Sequence, residues 1–362
     1  MLLRCHFFGR NSVSLLFLLA IPAFFSGCLC HPQGRLESRK GDEIVAAGKF
    51  FHTGTKVVLW MDPGGYDAYR VERRFAPIEE SGWDDSRQKM GLRSKPNRYG
   101  MRDQNLTKEE LERVRGGGWD LPTLQSNVDQ FVLHFDVAGI SRNCFKTLHD
   151  ARNLSVHFML DLDRTLYQTL DLKERAWHAT SSNNRSVGIE IANIGAYGAK
   201  NKAPLDKWYN KDPKGRTIIT IPAAVGPNPE RTPNFVGRPA RRDEVTGVVQ
   251  GDNLYQYDYT PQQYKALAKL TATLCTIFPK IKCDYPREAD GKLMTHKLPG
   301  PELEKYEGVL GHYHVQTDKV DPGPALQWDY VVGEACRLMK QHPPRNVAGE
   351  TIWNRAKLIK DN

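Results

Sequence analysis

The sequence predicts an α/β fold, a mixed central β-sheet flanked by helices, with an N-terminal extension before it and one long loop insertion within it. Three observations predict this. Apolar, β-branched runs of strand length recur along the chain. Amphipathic runs with recognisable caps lie between and after them. A hydrophobic content of 40%, with 14 Tyr and 14 Phe among 362 residues, is enough to fill a sizeable core. Strands mixed with helices, including one hairpin, give a mixed sheet rather than an all-parallel one.

Residues 1–28 read as an export signal. Arg4 and Arg10 supply positive charge, and Val13 to Phe25 is apolar apart from Ser14. That run is shorter than the ~20 residues a spanning helix needs. It leads into Phe25-Ser26-Gly27-Cys28, which resembles a bacterial lipobox, so Cys28 is the candidate lipidation site and a membrane the partner at this end. Phe25 stands where such motifs usually have Leu, and ordinary signal cleavage nearby is the competing reading. Residues 29–42 are polar and basic and read as a tether. Export would permit disulfides; Cys275 and Cys283 are one candidate pair, two buried thiols the alternative.

Residues 43–127 read as an extension that packs on the main domain. A strand is expected at Lys56 to Trp60, then a turn at Asp62-Pro63-Gly64-Gly65. Thr107 and Glu110 stand at capping-box spacing, and Gly116-Gly117-Gly118 stops the helix they start. No chemistry is visible in this region.

The main domain is placed at 128–345. Phe131 to Phe135 is a short apolar run, expected as a buried strand carrying His134. Asn143 to Asn153 has helical spacing through Phe145, Leu148 and Ala151. Ser155 to Leu162 and Thr165 to Leu172 flank Asp163-Arg164 and predict a hairpin. In the next strand, Val187, Ile189 and Ile191 alternate with Gly188 and Glu190, so Glu190 projects from the opposite face. Residues 197–259 interrupt this pattern and, apart from a strand-like run at Thr217 to Ile221, read as loop. Between Gly198 and Gly247 ten Lys or Arg face five Asp or Glu, which fits either a basic lip beside an anionic polymer or a solvated insertion. Thr260-Pro261-Gln262-Gln263 opens a helix, and Ala325 to Gln341 is amphipathic. Residues 346–362 form a tail.

The chemistry lies in the histidines. His134 sits in an apolar strand, His312 and His314 come just after the apolar Val309-Leu310, and Asp321 stands in Lys319-Val320-Asp321-Pro322-Gly323. A catalytic zinc takes three ligands from His or carboxylate and leaves one position open. His134, His312 and Asp321 suit that need. His314, two residues from His312 on an expected strand, faces the same way and is the rival third ligand.

Five segments occur in order: Val132-Leu133-His134, Arg175-Ala176-Trp177-His178-Ala179, Ser186-Val187-Gly188-Ile189-Glu190, Gly311-His312, and Lys319-Val320-Asp321-Pro322-Gly323-Pro324. Together they closely resemble the N-acetylmuramoyl-L-alanine amidase type 2 family, related in fold to peptidoglycan recognition proteins. The resemblance runs from about Gln130 to Leu338. It implies hydrolysis of the amide between N-acetylmuramic acid and L-alanine, with peptidoglycan or muropeptides as substrate and Zn2+ as cofactor. It implies His134, His312 and Asp321 as zinc ligands and Glu190 as general base. Lys319 is implied as the stabiliser of charge on the scissile carbonyl, and Trp177 and His178 as substrate-binding residues. A peptidoglycan-binding module that has lost catalysis is the alternative, but no expected ligand or base is missing. A zinc endopeptidase of the H-E-x-x-H kind is excluded by the absence of that motif. Nucleic acid would suit the net charge of +9, but an exported chain does not meet it.

Overall fold

The computed structural model describes residues 33–82, 84, 98–226 and 232–340, so Cys28 with the expected signal, and the tail, lie outside the described residues. The chain divides into units of residues 1–38 and 39–362. In the first, Arg35 pairs with Glu37 at 3.8 Å.

A six-stranded sheet organises the second unit. Its strands are β1 (Val57–Leu59), β2 (Gln130–Phe135), β3 (Phe158–Leu160), β4 (Leu166–Gln168), β5 (Ser186–Ile191) and β6 (Gly308–Gly311). Their order across the sheet is β6-β2-β5-β3-β4-β1. Only the β3–β4 hairpin is antiparallel; every other neighbouring pair runs parallel. Arg164, at the expected turn, takes a φ of 78°.

Alternation along the strands divides the sheet into two faces. On one, Phe131, Leu133 and Phe135 of β2 and Val187, Ile189 and Ile191 of β5 join a single apolar core. Helices α3 (Pro261–Ile277) and α5 (Trp328–Leu338) cover it. In α3, Leu267, Leu270 and Leu274 recur at three- and four-residue intervals and are at most 2% exposed. Each contributes about 1.5–3 kcal/mol by leaving water. The helix begins where the sequence requires: Thr260 Oγ accepts from Gln263 N–H at 3.1 Å, and Gln263 Oε1 accepts from Thr260 N–H at 2.8 Å. The same reciprocal cap, between Thr107 and Glu110, starts α1 (Lys108–Arg115). Helix α2 (Ser141–Phe145) continues as a wider turn through Ala151, less regular than the spacing predicted and set two residues earlier. No helix among the described residues is long and apolar enough to cross a membrane.

The extension enters the sheet itself. Its strand β1 pairs with β4 and forms an edge. Arg102, in the same extension, is fully buried. Its guanidinium donates to the carbonyls of Leu172, Asn183, Asn184 and Ser186 at 2.8–3.3 Å. Asn183, Asn184 and Ser186 lead into and open β5, so this one side chain ties the extension to the strand that carries Glu190. Burial pulls the guanidinium down to about 9.

The insertion is more ordered than a loop. It holds a helix at Ala203–Trp208 and two hairpins, Tyr209–Lys211 with Thr217–Ile219 and Val245–Val249 with Asp252–Gln256. Leu205, Trp208 and Tyr209 pack with Ile140 and Leu162 in a small core of their own. Composition concealed this because the strands are short and largely exposed on one side. Five of its ten cations are ion-paired: Arg216 and Arg238 meet Asp212, Lys202 meets Glu244, Lys211 meets Asp243, and Arg241 meets Asp258. The Cys275–Cys283 disulfide is not formed; Cys144, Cys275, Cys283 and Cys336 are free thiols.

Candidate active site

The second face of the sheet carries the site. Register places His134 of β2 directly beside Glu190 of β5, and Val132 beside Gly188. Strand β6 runs along the other side of β2 and ends at Gly311, where the chain turns into α4 (His312–Val315). His312 is thereby delivered to the end of the sheet next to His134, and the loop after α4 returns Asp321 to the same point.

Three donor atoms converge there. His134 Nδ1 lies 3.0 Å from His312 Nδ1, and Asp321 Oδ2 lies 2.8 Å from the first and 3.0 Å from the second. All three residues are buried, at 2–8% exposure. Hydrogen bonds alone satisfy such a triangle poorly, because its 60° corners prevent linear bonds along every edge. A cation facing all three satisfies it. Tetrahedral zinc with ligands at its usual distances separates them by roughly 3.3 Å, close to this spacing. The residues therefore fit the ion.

Surrounding groups set which nitrogens face the triangle. His312 Nε2 lies 2.7 Å from Gln316 Oε1, an orientation assigned from the Gln316 amide donating to Asp318 Oδ1 at 3.3 Å. An amide oxygen only accepts, so His312 carries its proton on Nε2 and turns a lone pair inward from Nδ1. His134 Nε2 lies 3.1 Å from His178 Nδ1. Burial, and then the nearby His312, draws the His134 pKa down to about 4, so its imidazole stays neutral and able to ligate. Asp321 is held well below the usual carboxylate range: burial opposes this, but His312 and His134 outweigh it.

His314 does not join them. The expected strand ends at Gly311, and on the helical turn after it, residues two apart diverge. Both His314 nitrogens are used: Nδ1 accepts from Gly311 N–H and Nε2 donates to the Met294 carbonyl, each at 2.8 Å. A second cluster, Asp42, Glu43 and His52, also brings possible ligand atoms together. There Glu43 already accepts from the Lys40 and Gly41 amides, at 2.7 and 2.9 Å.

The triangle opens on a cleft of about 750 Å³. Phe135, Val137, Ala138, Leu148, Leu154 and Trp177 give it apolar walls, and Glu190, Lys319, His178 and Arg152 also line it. Glu190 Oε2 is buried without a hydrogen-bond partner. Burial first, then the charges of Asp321 and Asp136, pushes its carboxyl well above the usual glutamate range. Lys319 is 3.5 Å from Asp318 and about a third exposed. The indole N–H of Trp177 has no partner, and the Arg175 guanidinium lies 4.6 Å from the ring centre. All seven residues singled out in the sequence outside the lipobox thus line one cleft. Sequence reasoning missed Gln316. Its i+4 spacing from His312 was the available signal, hidden while the segment read as a strand.

The sheet thus brings a buried His-His-Asp set with the spacing of a metal site to the mouth of a cleft, beside a carboxylate oxygen that has no hydrogen-bond partner. The N-acetylmuramoyl-L-alanine amidase family model matches residues 124–324, and the chain belongs to that family. Among solved structures it is similar to a selenomethionine derivative of AmpD, with 16% identity over 67% of this chain and 92% of that one, at a TM-score of 0.30. It is similar also to the E. coli N-acetylmuramyl-L-alanine amidase AmiD, solved with anhydro-N-acetylmuramic acid-L-Ala-D-gamma-Glu-L-Lys. Identity there is 17%, over 57% of each chain, at a TM-score of 0.32. No curated protein matches.

Proposed function

We propose that the chain is a zinc-dependent amidase that cleaves the bond between N-acetylmuramic acid and L-alanine in peptidoglycan or its fragments, at the cell envelope, anchored by lipid on Cys28. The observation that carries the catalytic part is the unpartnered Glu190 carboxylate, which opens into the cleft shared with the His134-His312-Asp321 triangle. A binding module has no use for a buried carboxylate oxygen left unsatisfied, which costs about 1–3 kcal/mol to maintain.

His134, His312 and Asp321 hold the zinc, which when bound acidifies water and polarises a carbonyl. Glu190 takes the proton of the attacking water and passes it to the nitrogen of the departing L-alanine. Burial makes its carboxylate a stronger base than one in water, which suits that transfer. The Lys319 ammonium faces the negative charge that develops on the carbonyl oxygen. Trp177 offers an apolar wall to the substrate, and the remaining walls exclude water.

The test compares parent, Glu190→Gln and Lys319→Ala for release of L-alanine-terminated peptide from muropeptides, for zinc content and for muropeptide binding. Loss of a proton acceptor is expected to slow turnover by ~10²–10⁴-fold with zinc and binding retained. A parent that binds fragments but releases no peptide from any of them removes the catalytic reading.

A further inference from the structure

The two histidines of the triangle are not held alike. His312 faces an amide oxygen, which dictates its tautomer. His134 faces only another imidazole, which can donate or accept, so its tautomer is set one step further out. His178 Nε2 lies 3.2 Å from Ser186 Oγ. The arrangement that leaves a lone pair on His134 Nδ1 has His134 Nε2–H donating to His178 Nδ1, and His178 Nε2–H donating to Ser186 Oγ.

The sequence makes room for this ring. His178 stands over Gly188, where an added Cβ would lie 2.5 Å from its Nδ1 and Cε1. Real side chains essentially never approach so closely, so any other residue at 188 displaces the imidazole. The backbone N–H groups of His178 and Ala179 both donate to Asn183 Oδ1, at 3.0 and 2.7 Å, which fixes the base of the side chain. The ring meets that of His134 edge-on, at 88° with centroids 5.3 Å apart. At the far end, the Ser186 carbonyl accepts from Arg102 at 2.9 Å. Three separate constraints thus hold a ring whose only direct contact with the triangle is the His134 nitrogen that faces away from it.

We propose that His178 is a positioning residue for the metal centre: held by Ser186 and seated on Gly188, it fixes the tautomer and rotation of His134 and so presents His134 Nδ1 to the ion. This role rests on the His134-His312-Asp321 set holding zinc, and it makes His178 a support rather than a substrate contact. Groups behind a ligating histidine typically alter metal affinity by 10–100-fold. Asparagine places an oxygen near the position of Nδ1 and accepts without ambiguity, so it can replace the ring's function toward His134.

The experiment measures zinc affinity of the whole protein by competition with a chromophoric chelator, independently of turnover, with far-UV circular dichroism to confirm folding. Parent, His178→Leu, His178→Asn and Gly188→Ala are compared. We expect weakening of about 10–100-fold in His178→Leu and Gly188→Ala, and near-parental affinity in His178→Asn. Equal affinity in all four, with KM alone raised in His178→Leu, overturns the proposal and returns His178 to substrate contact. Equal weakening in His178→Asn and His178→Leu also overturns it, since an acceptor then makes no difference. Failure of the parent itself to hold zinc is a different result and removes the metallohydrolase reading instead.

Discussion

His157 offers a test of the burial argument that needs no substrate. The side chain is 0% exposed, its Nδ1 accepts from Gly188 N–H at 3.1 Å, and its Nε2 donates to the Glu174 carbonyl at 2.9 Å. Burial first, and then the Arg102 charge, lowers its pKa to about 3 from 6.5. Between those values the unfolded chain binds a proton that the folded one refuses. The stabilising contribution is therefore complete above pH 6.5 and is lost as pH falls towards 3. The slope is about 1.4 kcal/mol per pH unit, or about 2 kcal/mol by pH 5. His157→Gln cannot titrate. At pH 7 it lowers stability by about 1–3 kcal/mol, because the Gly188 amide loses its acceptor. Its loss between pH 7 and pH 5 is smaller than that of the parent by the ~2 kcal/mol assigned to the ring. Urea unfolding of both proteins at pH 7, 6 and 5 reads this difference, since every other titrating group is common to them. Parallel profiles would refute the reasoning.

Three further outcomes are expected. Arg102→Met strands the carbonyls of Leu172, Asn183, Asn184 and Ser186, and should cost about 3 kcal/mol or more in urea unfolding; a cost below about 1 kcal/mol would remove Arg102 as the brace of β5. Elemental analysis should find stoichiometric zinc in His314→Ala and none in Asp321→Ala, and the reverse pattern would exchange the third ligand. Cys28→Ser should release the protein from membranes on fractionation, whereas a parent that is wholly soluble with an unmodified N-terminus contradicts lipidation.

The sheet was legible wherever apolar residues alternated or clustered over several positions, as at Phe131–Phe135 and Val187–Ile191. There burial is dictated by side-chain chemistry. Caps were legible too, because Thr107 with Glu110 and Thr260 with Gln263 act over three residues and need nothing distant. Short elements were not. Strand Val57–Leu59 was expected, but not its place at the sheet edge beside β4, since pairing joins segments over a hundred residues apart. Of the hairpins of residues 209–256 only the Thr217 strand was legible, because half-exposed three- to five-residue strands leave little pattern.

The same division holds at the site. Sequence alone brought His134, His312 and Asp321 forward as residue types a zinc site requires, and the resemblance to the amidase family brought Glu190 and Lys319. It left His314 as a rival, since two residues apart means the same side on a strand and different sides on a helix. The chain's turn into a helix at His312 directs His314 away from His134, towards Gly311 N–H and the Met294 carbonyl. Tertiary structure alone placed His178 behind His134, Gln316 behind His312 and Arg102 beneath Ser186. Those contacts depend on where a hydrogen-bond acceptor comes to rest in space, which residue type and spacing do not specify.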